Sequence, residues 1–266
     1  MLKKLLPAIF AVFIATICAD AKNVKVDHFK ATADGKTNNL EAIQKAIDEC
    51  SATGGGEVLF SEKGGVYLSG GPIVLKNNVT LRIPRNVTLK AIAAEAVTKG
   101  FIYSRDVENI GITGGGTIDG SGGDYIVKDG APKRCNLVLL KNSKNIRVTD
   151  ITLYNGATWT LNLLQCDTVF IDGIHINAHE NFNNDGIDID AKNVVITNSI
   201  IDCDDDAICF KSHVRDYVVE NVAVSNCVIS SNCNFIKFGT ATSGGFKNIA
   251  ITNCVMKKCT DRKSVV

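Results

Sequence analysis

Two groups of acidic residues lie close together in the chain, between residues 181 and 212. The first contains Asp185 within an Asn-Asn-Asp-Gly sequence, and the second is the run Asp204, Asp205 and Asp206. Carboxylates held side by side repel each other, so the pKa of at least one of them is raised. A protonated carboxyl group can then donate a proton to a leaving oxygen while an ionised neighbour activates water. The residue types therefore indicate acid–base hydrolysis of the kind that glycosidases perform.

A repeated pattern surrounds these acids. Each copy has a polar start, an alternation of β-branched residues, a turn and a second short alternation. The copies begin at Glu108, Lys144, Asp167, Lys192, Glu220 and Lys247, and the last five starts are 23, 25, 28 and 27 residues apart. One copy cannot bury its apolar side alone, so neighbouring copies must stack. The period predicts an all-β parallel β-helix, because the leucine-rich pattern is absent and a propeller blade needs about 40 residues.

The coil period places the acids on neighbouring rungs. Asp185 precedes Asp205 and Asp206 by 20 and 21 residues, a little under one coil. We therefore expect the three carboxylates to cluster on one exposed face. Carboxyl groups on adjacent rungs leave room for a water molecule, which favours inversion over retention. A solvated acidic turn and a Ca²⁺ site are alternatives. Asp188 and Asp190 could belong to the site, but their alternation indicates ordinary strand-surface positions.

Basic and aromatic residues lie near the acids. Lys211 follows the second acidic group by five residues, and Lys237 lies 26 residues further, which predicts the next rung. Either lysine could bind the carboxylate of an acidic sugar or lower the pKa of a base, and a solvated position is the alternative for each. His179 precedes Asp185 by six residues. It could contact substrate, and a surface histidine is the alternative. Trp159 is interpreted as packing rather than sugar stacking, because its coil is apolar.

Corresponding repeat positions predict internal ladders. One position is occupied by Ile151, Ile174, Ser199, Cys227 and Cys254, and the position before it by Asn198, Asn226 and Asn253. The asparagines are expected to bond to their counterparts in adjacent coils. The cysteines are interpreted as small core residues, with a disulfide framework as the alternative in an exported protein.

The N-terminal segment predicts export. Residues 1–21 have a positive start at Lys3 and Lys4, an apolar stretch from Leu5 to Ile17 and a small-x-small end. This pattern is typical of a cleaved signal peptide, with an uncleaved anchor as the alternative. We expect a secreted or periplasmic protein with no membrane span after cleavage. The net charge of +1 gives no electrostatic reason for binding nucleic acid or membrane surfaces.

One domain, residues 22–266, is expected after the signal. Thr37 or Asn38 can cap a short helix whose face includes Ile43 and Ile47, and this helix would cover the open end of the core. The final residues, KKCTDRKSVV, contain no evident cap. Because solenoids generally need capped ends, we expect further coils to follow Val266.

The motifs resemble glycoside hydrolase family 28, the polygalacturonases and rhamnogalacturonases. The resemblance rests on Asn184-Asp185-Gly186 followed by DDAICFK from Asp205, with ITGGGTIDG and NGATWTLNLLQC upstream. It implies a right-handed parallel β-helix, hydrolysis of pectic α-galacturonosyl bonds with inversion, and no metal or other cofactor. By position, it implies that Asp205 is the general acid and that Asp185 and Asp206 hold the attacking water. Asn184 and Lys211 would contribute to substrate binding.

Two departures from the family pattern affect the expected specificity. Asp204 stands where the family usually has Gly, and Asn234, in Cys233-Asn234-Phe235, stands where typical polygalacturonases have His. Rhamnogalacturonase-like or exo-acting members therefore remain open. The family's later Arg-Ile-Lys substrate motif would lie beyond Val266. We expect a monomer that binds pectic polysaccharide. A β-helix polysaccharide lyase and an inactive carbohydrate-binding β-helix are the alternatives.

Overall fold

The computed structural model describes residues 22–93, 99–125, 127–128, 131–132 and 134–259. The predicted signal segment, residues 1–21, lies outside the described residues. The described chain contains the helix α1 (Leu40–Ala52) and two 3₁₀ turns, Val26–Phe29 and Gly122–Asp124. Its strands are short, apart from two of 11 and 12 residues. They are β1 (Val24–Lys25), β2 (Asp34–Asn38), β3 (Gly56–Leu59), β4 (Gly65–Ser69), β5 (Ile73–Val74), β6 (Val79–Arg82), β7 (Val87–Ala91), β8 (Gly100–Arg105), β9 (Glu108–Thr113), β10 (Thr117–Asp119), β11 (Val127–Lys128), β12 (Ala131–Pro132), β13 (Asn136–Lys141), β14 (Lys144–Thr149), β15 (Thr152–Tyr154), β16 (Leu161–Asp172), β17 (His175–Ala178), β18 (Ile187–Thr197), β19 (Ile200–Cys203), β20 (Ile208–Ser212), β21 (Val219–Ser225), β22 (Val228–Ser231), β23 (Ile236–Thr242), β24 (Phe246–Thr252) and β25 (Val255–Cys259).

Apart from β11 and β12, which pair antiparallel with each other, the strands stack into three parallel ladders that wind around one core. Ladder A runs β1-β3-β6-β9-β14-β16-β18-β21-β24, and ladder B runs β2-β4-β7-β10-β15-β17-β19-β22-β25. Ladder C runs β5-β8-β13-β16-β18-β20-β23. The long strands β16 and β18 belong to two ladders, because their first halves pair in ladder C and their second halves in ladder A. The right-handed parallel β-helix implied by the resemblance is confirmed.

The predicted core ladder is present. Ile151, Ile174, Ser199 and Cys227 are all at most 2% exposed, and Cys254 is partly buried against the same core. Backbone hydrogen bonds join their positions from coil to coil: the amide of Ile200 donates to the oxygen of Ile174, and that of Val228 to Ser199. Six cysteines are buried and carry free thiols: Cys50, Cys135, Cys166, Cys203, Cys209 and Cys227. The buried cysteines therefore pack as core residues, as expected, whereas Cys233 and Cys254 are only partly buried.

The predicted asparagine ladder is also present. The side-chain amide of Asn198 donates to Asp172, that of Asn226 to Asn198 at 3.4 Å, and that of Asn253 to Asn226 at 2.6 Å. The three asparagines have φ values between 50° and 56°. Asparagine tolerates this left-handed conformation better than most residues. The same residues therefore turn each coil and join it to its neighbour.

Helix α1 lies against the first coils of the core. The N-cap residue is Asn39, so the prediction of Thr37 or Asn38 as the cap is wrong by one or two residues. The Asn38 side chain accepts a hydrogen bond from the backbone amide of Leu40 at 3.1 Å. Ile43, Ala46 and Ile47 are fully buried against the core cluster. The predicted capping helix is therefore confirmed. Within the described residues, no helix has the length and apolarity needed to cross a bilayer.

Candidate active site

The acidic groups meet at the corner where ladder B turns into ladder C. Asp185 lies two residues before the start of β18, and Asp206 lies two residues before the start of β20. The amide of Gly186 donates to the Asp206 carbonyl at 2.9 Å, and the amide of Ala207 donates to Asn234 at 2.8 Å. Asp185, Asp206 and Asn234 therefore lie on successive rungs, as the spacing predicts. The coils are so close here that a Cβ atom on Gly186 would lie 2.5 Å from the Ala207 carbonyl oxygen.

Asp185 is the acid whose electrostatic surroundings are most unusual. Its side chain is almost fully buried, and Lys211 Nζ lies 3.4 Å from its Oδ2 atom. Burial raises the pKa of Asp185 to about 6; Lys211 opposes this, and the neighbouring Asp205 and Asp206 add to it. The carboxyl group can therefore exchange a proton near neutral pH.

Asp188 is a buried partner of Asp185 and Lys211. Lys211 Nζ lies 3.1 Å from Asp188 Oδ1, and Asp188 is 1% exposed. Burial first, and then the charge of Asp185, raise the pKa of Asp188 well above its usual value. Burial would lower the pKa of Lys211, but Asp188 and Asp185 outweigh it and raise the pKa. The interpretation of Asp188 and Asp190 as strand-surface positions is wrong: both side chains are buried under neighbouring residues.

Asp206 is fixed between a lysine and an amide. Lys237 Nζ lies 2.7 Å from Asp206 Oδ2, and the Asn234 side chain donates to Oδ1 at 2.7 Å. The hydrogen bond to Asp206 raises the pKa of Lys237. Lys237 lies on β23, one rung beyond β20 as predicted, but it pairs in register with Cys209 and not with Lys211. The coil is 28 residues at this point, and the pairing of β20 with β23 is irregular after Phe210.

Asp205 lies beside an open cavity of about 400 Å³. The backbone amide of Asp206 donates to Asp205 Oδ1 at 2.9 Å, and the Asn183 side chain approaches Oδ2 at 3.4 Å. Asn184 is fully buried, bonds the Ala178 carbonyl and accepts from the Asp205 amide at 3.2 Å. The cavity is lined by Asn181, Phe182, Asn183, Asn184, Asp204, Asp205, Asn232 and Cys233. Asn184 therefore holds the two acidic turns together, and Asp205 lines the cavity together with Asp204.

The family model of the glycosyl hydrolases family 28 matches residues 63–216. This chain belongs to that family. An exopolygalacturonase of Zea mays is 31% identical over 193 residues, which is 67% of this chain and 46% of the relative. An endo-polygalacturonase of Pectobacterium carotovorum subsp. carotovorum is 27% identical over 270 residues, covering 86% of this chain and 64% of the relative. The crystal structure of a hyperthermoactive exopolygalacturonase from Thermotoga maritima is similar, with a TM-score of 0.77 and 25% identity over 88% of this chain and 66% of that one. The chain spans about half the length of several curated relatives that it matches.

His179 lies between two carboxylates of this family 28 chain. Its Nδ1 atom is 2.8 Å from Asp204 Oδ1, and its Nε2 atom is 3.1 Å from Asp202 Oδ1. The side-chain amide of Asn232 also donates to Asp204. Both ring nitrogens therefore face protein groups, and the carboxylate that replaces the family's usual glycine has two partners of its own.

The sequence interpretation missed a second polar group on ladder C. His213 Nδ1 lies 2.9 Å from Asp190 Oδ2, and the rings of His213 and Trp159 are 6.5 Å apart. Lys211 Nζ lies 4.6 Å from the Trp159 ring. Trp159 is therefore half-buried and packs against Lys211 and His213, two polar side chains, rather than among apolar residues alone. The sequence did contain a signal for this polar group. Asp188 and Asp190 alternate along one strand, and Lys211 and His213 alternate in the same way one coil later.

Two sets of side chains among the described residues could in principle hold a cation. They are Asp185 with Asp188 and Cys209, and Asp205 with Asp206 and Cys233, and in each set the donor atoms lie within 4.8 Å of one another. A lysine already contacts each set: Lys211 lies 3.1 Å from Asp188, and Lys237 lies 2.7 Å from Asp206. A metal ion would have to overcome repulsion from these ammonium groups.

Proposed function

We propose that this family 28 chain hydrolyses α-glycosidic bonds of pectic polysaccharide, either polygalacturonate or rhamnogalacturonan, with inversion of configuration. The main support for this proposal is that Asp185, Asp205 and Asp206 lie on neighbouring rungs around one corner of the β-helix. Each of the three carboxylates has a different environment there. Polygalacturonase relatives support the substrate class, and the chain's activity is inferred from the site.

The environments support separate roles for the three acids. Asp205 lines the cavity, where its carboxyl group can protonate the oxygen of the departing sugar. Asp206 is held by Lys237 and Asn234, which contact its two carboxylate oxygens. Asp185 has a pKa of about 6 and can accept a proton from water near neutral pH. Asp185 and Asp206 are therefore proposed to hold the attacking water, with Asp205 as the general acid.

Nearby side chains are proposed to divide between positioning and substrate binding. The Lys211 side chain is 9% exposed and holds Asp185 and Asp188. Asn184 and His179 likewise support the acidic turns. The Lys237 side chain is 36% exposed, so its ammonium group can also meet the carboxylate of a uronosyl unit. Asn234, beside it, is the proposed second substrate contact.

The proposal needs no metal, because Lys211 already contacts Asp185 and Lys237 already contacts Asp206. A polysaccharide lyase would instead need calcium and a basic group to remove a proton from the sugar. An exported, monomeric protein remains the expectation from the sequence.

Asp205→Asn tests this function. The wild-type protein should release reducing ends from polygalacturonate or rhamnogalacturonan, and Asp205→Asn should lower the rate at least about 100-fold, the usual contribution of a general acid. Asp216→Asn, an exposed acid outside the site, serves as the matched control and should keep full activity. Ultraviolet-absorbing unsaturated products would instead identify a lyase. Binding without turnover, unchanged in Asp205→Asn, would identify an inactive binding protein.

A further inference from the structure

Phe182 is a large aromatic side chain exposed beside Asp205. It is 54% exposed and is the one aromatic among the described residues that line the cavity. Leaving such a ring in water forgoes the free energy that its burial would provide. The other exposed phenylalanine, Phe238, differs because its ring stacks on Phe210 and meets the edge of Phe246. The exposure of Phe182 is therefore concentrated at the proposed catalytic cavity.

Arg134 holds the Phe182 ring in place from one side. Its guanidinium lies 3.7 Å from the ring centroid. The same guanidinium donates to the Ala157 carbonyl at 2.9 Å and to the Phe182 carbonyl, and it approaches the Asn181 side chain at 3.3 Å. Asn181 in turn donates to the Gly122 carbonyl at 2.9 Å and accepts from the Phe182 amide at 3.0 Å. One ring face is thus covered and immobilised, which leaves the exposed area on the opposite face and edge.

From this geometry we propose that Phe182 and Arg134 form a stacking subsite for one uronosyl unit of the pectic chain, next to the unit whose bond is cleaved. This inference rests on the proposed function. A galactopyranose ring presents several C–H groups on one side, and these carry partial positive charge towards the negative face of an aromatic ring. The guanidinium behind the ring adds positive charge near the uronate carboxylate. Because the ring is already fixed, little conformational entropy is lost on binding.

The test measures the affinity of oligogalacturonates of defined length by calorimetry in the inactive Asp205→Asn background. Phe182→Ala should weaken binding about tenfold, which corresponds to about 1.4 kcal/mol. Phe182→Leu should weaken it similarly, because it keeps apolar bulk without an aromatic face, and Phe182→Trp should retain affinity. Phe170→Ala is the matched control, because Phe170 is also paired with an arginine: the Arg147 guanidinium lies 5.1 Å from the centroid of its ring. Phe170 lies on ladder A, away from the cavity.

Unchanged affinity in Phe182→Ala, retained affinity in Phe182→Leu, or an equal loss in Phe170→Ala would overturn the subsite. Hydrolysis by the protein with Asp205 intact reports on the proposed function separately. Hydrolysis together with Phe182-independent binding would overturn the subsite alone. Phe182-dependent binding without hydrolysis would overturn the proposed function and support the subsite.

Discussion

The protonation of Asp185 is decided by a competition between burial and charge. Burial disfavours the carboxylate, and the nearby acids Asp205 and Asp206 disfavour it further. Lys211 favours the ionised form of Asp185, but its ammonium group also contacts Asp188. The effect of burial is larger than that of Lys211, so the pKa of Asp185 rises to about 6. A base with this pKa is ionised at neutral pH and still accepts a proton readily.

This pKa predicts opposite effects of pH on activity and stability. The rate of hydrolysis should rise as pH increases through about 6, because Asp185 becomes ionised. In the unfolded chain the pKa of Asp185 returns to about 3.8, so the folded protein binds more protons between pH 4 and 6. The contribution of Asp185 to the free energy of unfolding should therefore fall across that window as pH rises, by about 3 kcal/mol. Rate profiles and urea unfolding at pH 4 and pH 7 measure the two effects.

Asp185→Asn is the control for this prediction. The variant lacks the titrating group, so its stability should change less between the two pH values than that of the wild type. An equal change in both proteins, or a rate profile without a limb near pH 6, would contradict the assignment.

The spacing of the acids along the chain predicted which of them lie close together, but not which side chains bury each one. The coil period places Asp185 beside Asp206 because parallel rungs repeat at nearly constant length. Alternation along β18 correctly puts Asp188 and Asp190 on one side of the strand. It cannot tell that Lys211 and His213 lie across that side, because these contacts come from the next coil.

The turns between strands are stabilised by asparagines that also join the coils. Asn226 has a φ of 56°, donates its amide to Asn198 and accepts from Asn253. A second asparagine ladder joins Asn248, Asn221 and Asn193, with hydrogen bonds of 3.0 and 2.9 Å. The repeat pattern did not predict this ladder. Hydrogen bonds at the surface add modestly to stability, whereas the left-handed backbone excludes most residues.

Two substitutions of Asn226 separate these contributions. Asn226→Gly keeps access to positive φ but loses the amide bonds, so it should lower the free energy of unfolding by about 1 kcal/mol. Asn226→Ala loses the bonds and also strains the backbone, so it should cost about 1 kcal/mol more. Urea denaturation of both variants measures the difference. Equal losses would show that the backbone conformation does not explain the asparagine.

The whole solenoid could be predicted because its pattern recurs in every coil. Apolar alternation and the period near 25 residues indicate stacked parallel strands, and α1 was predicted from a separate helical period. The continuous course of β16 and β18 around a corner could not be predicted, because the sequence contains no signal for whether two strand segments are joined. Phe182 and Arg134 were missed for a similar reason: they are 48 residues apart and meet only through the winding of the chain.

Across the molecule, the corner between ladders B and C brings together acids, lysines and a cavity. Proton nuclear magnetic resonance of the first products from an α-linked oligogalacturonate tests their proposed chemistry most directly. The wild-type protein should release the β-anomer first, before mutarotation, and Asp205→Asn should release product at least about 100-fold more slowly. Initial formation of the α-anomer, signals of an unsaturated sugar, or unchanged release by Asp205→Asn would contradict inverting hydrolysis by these three carboxylates.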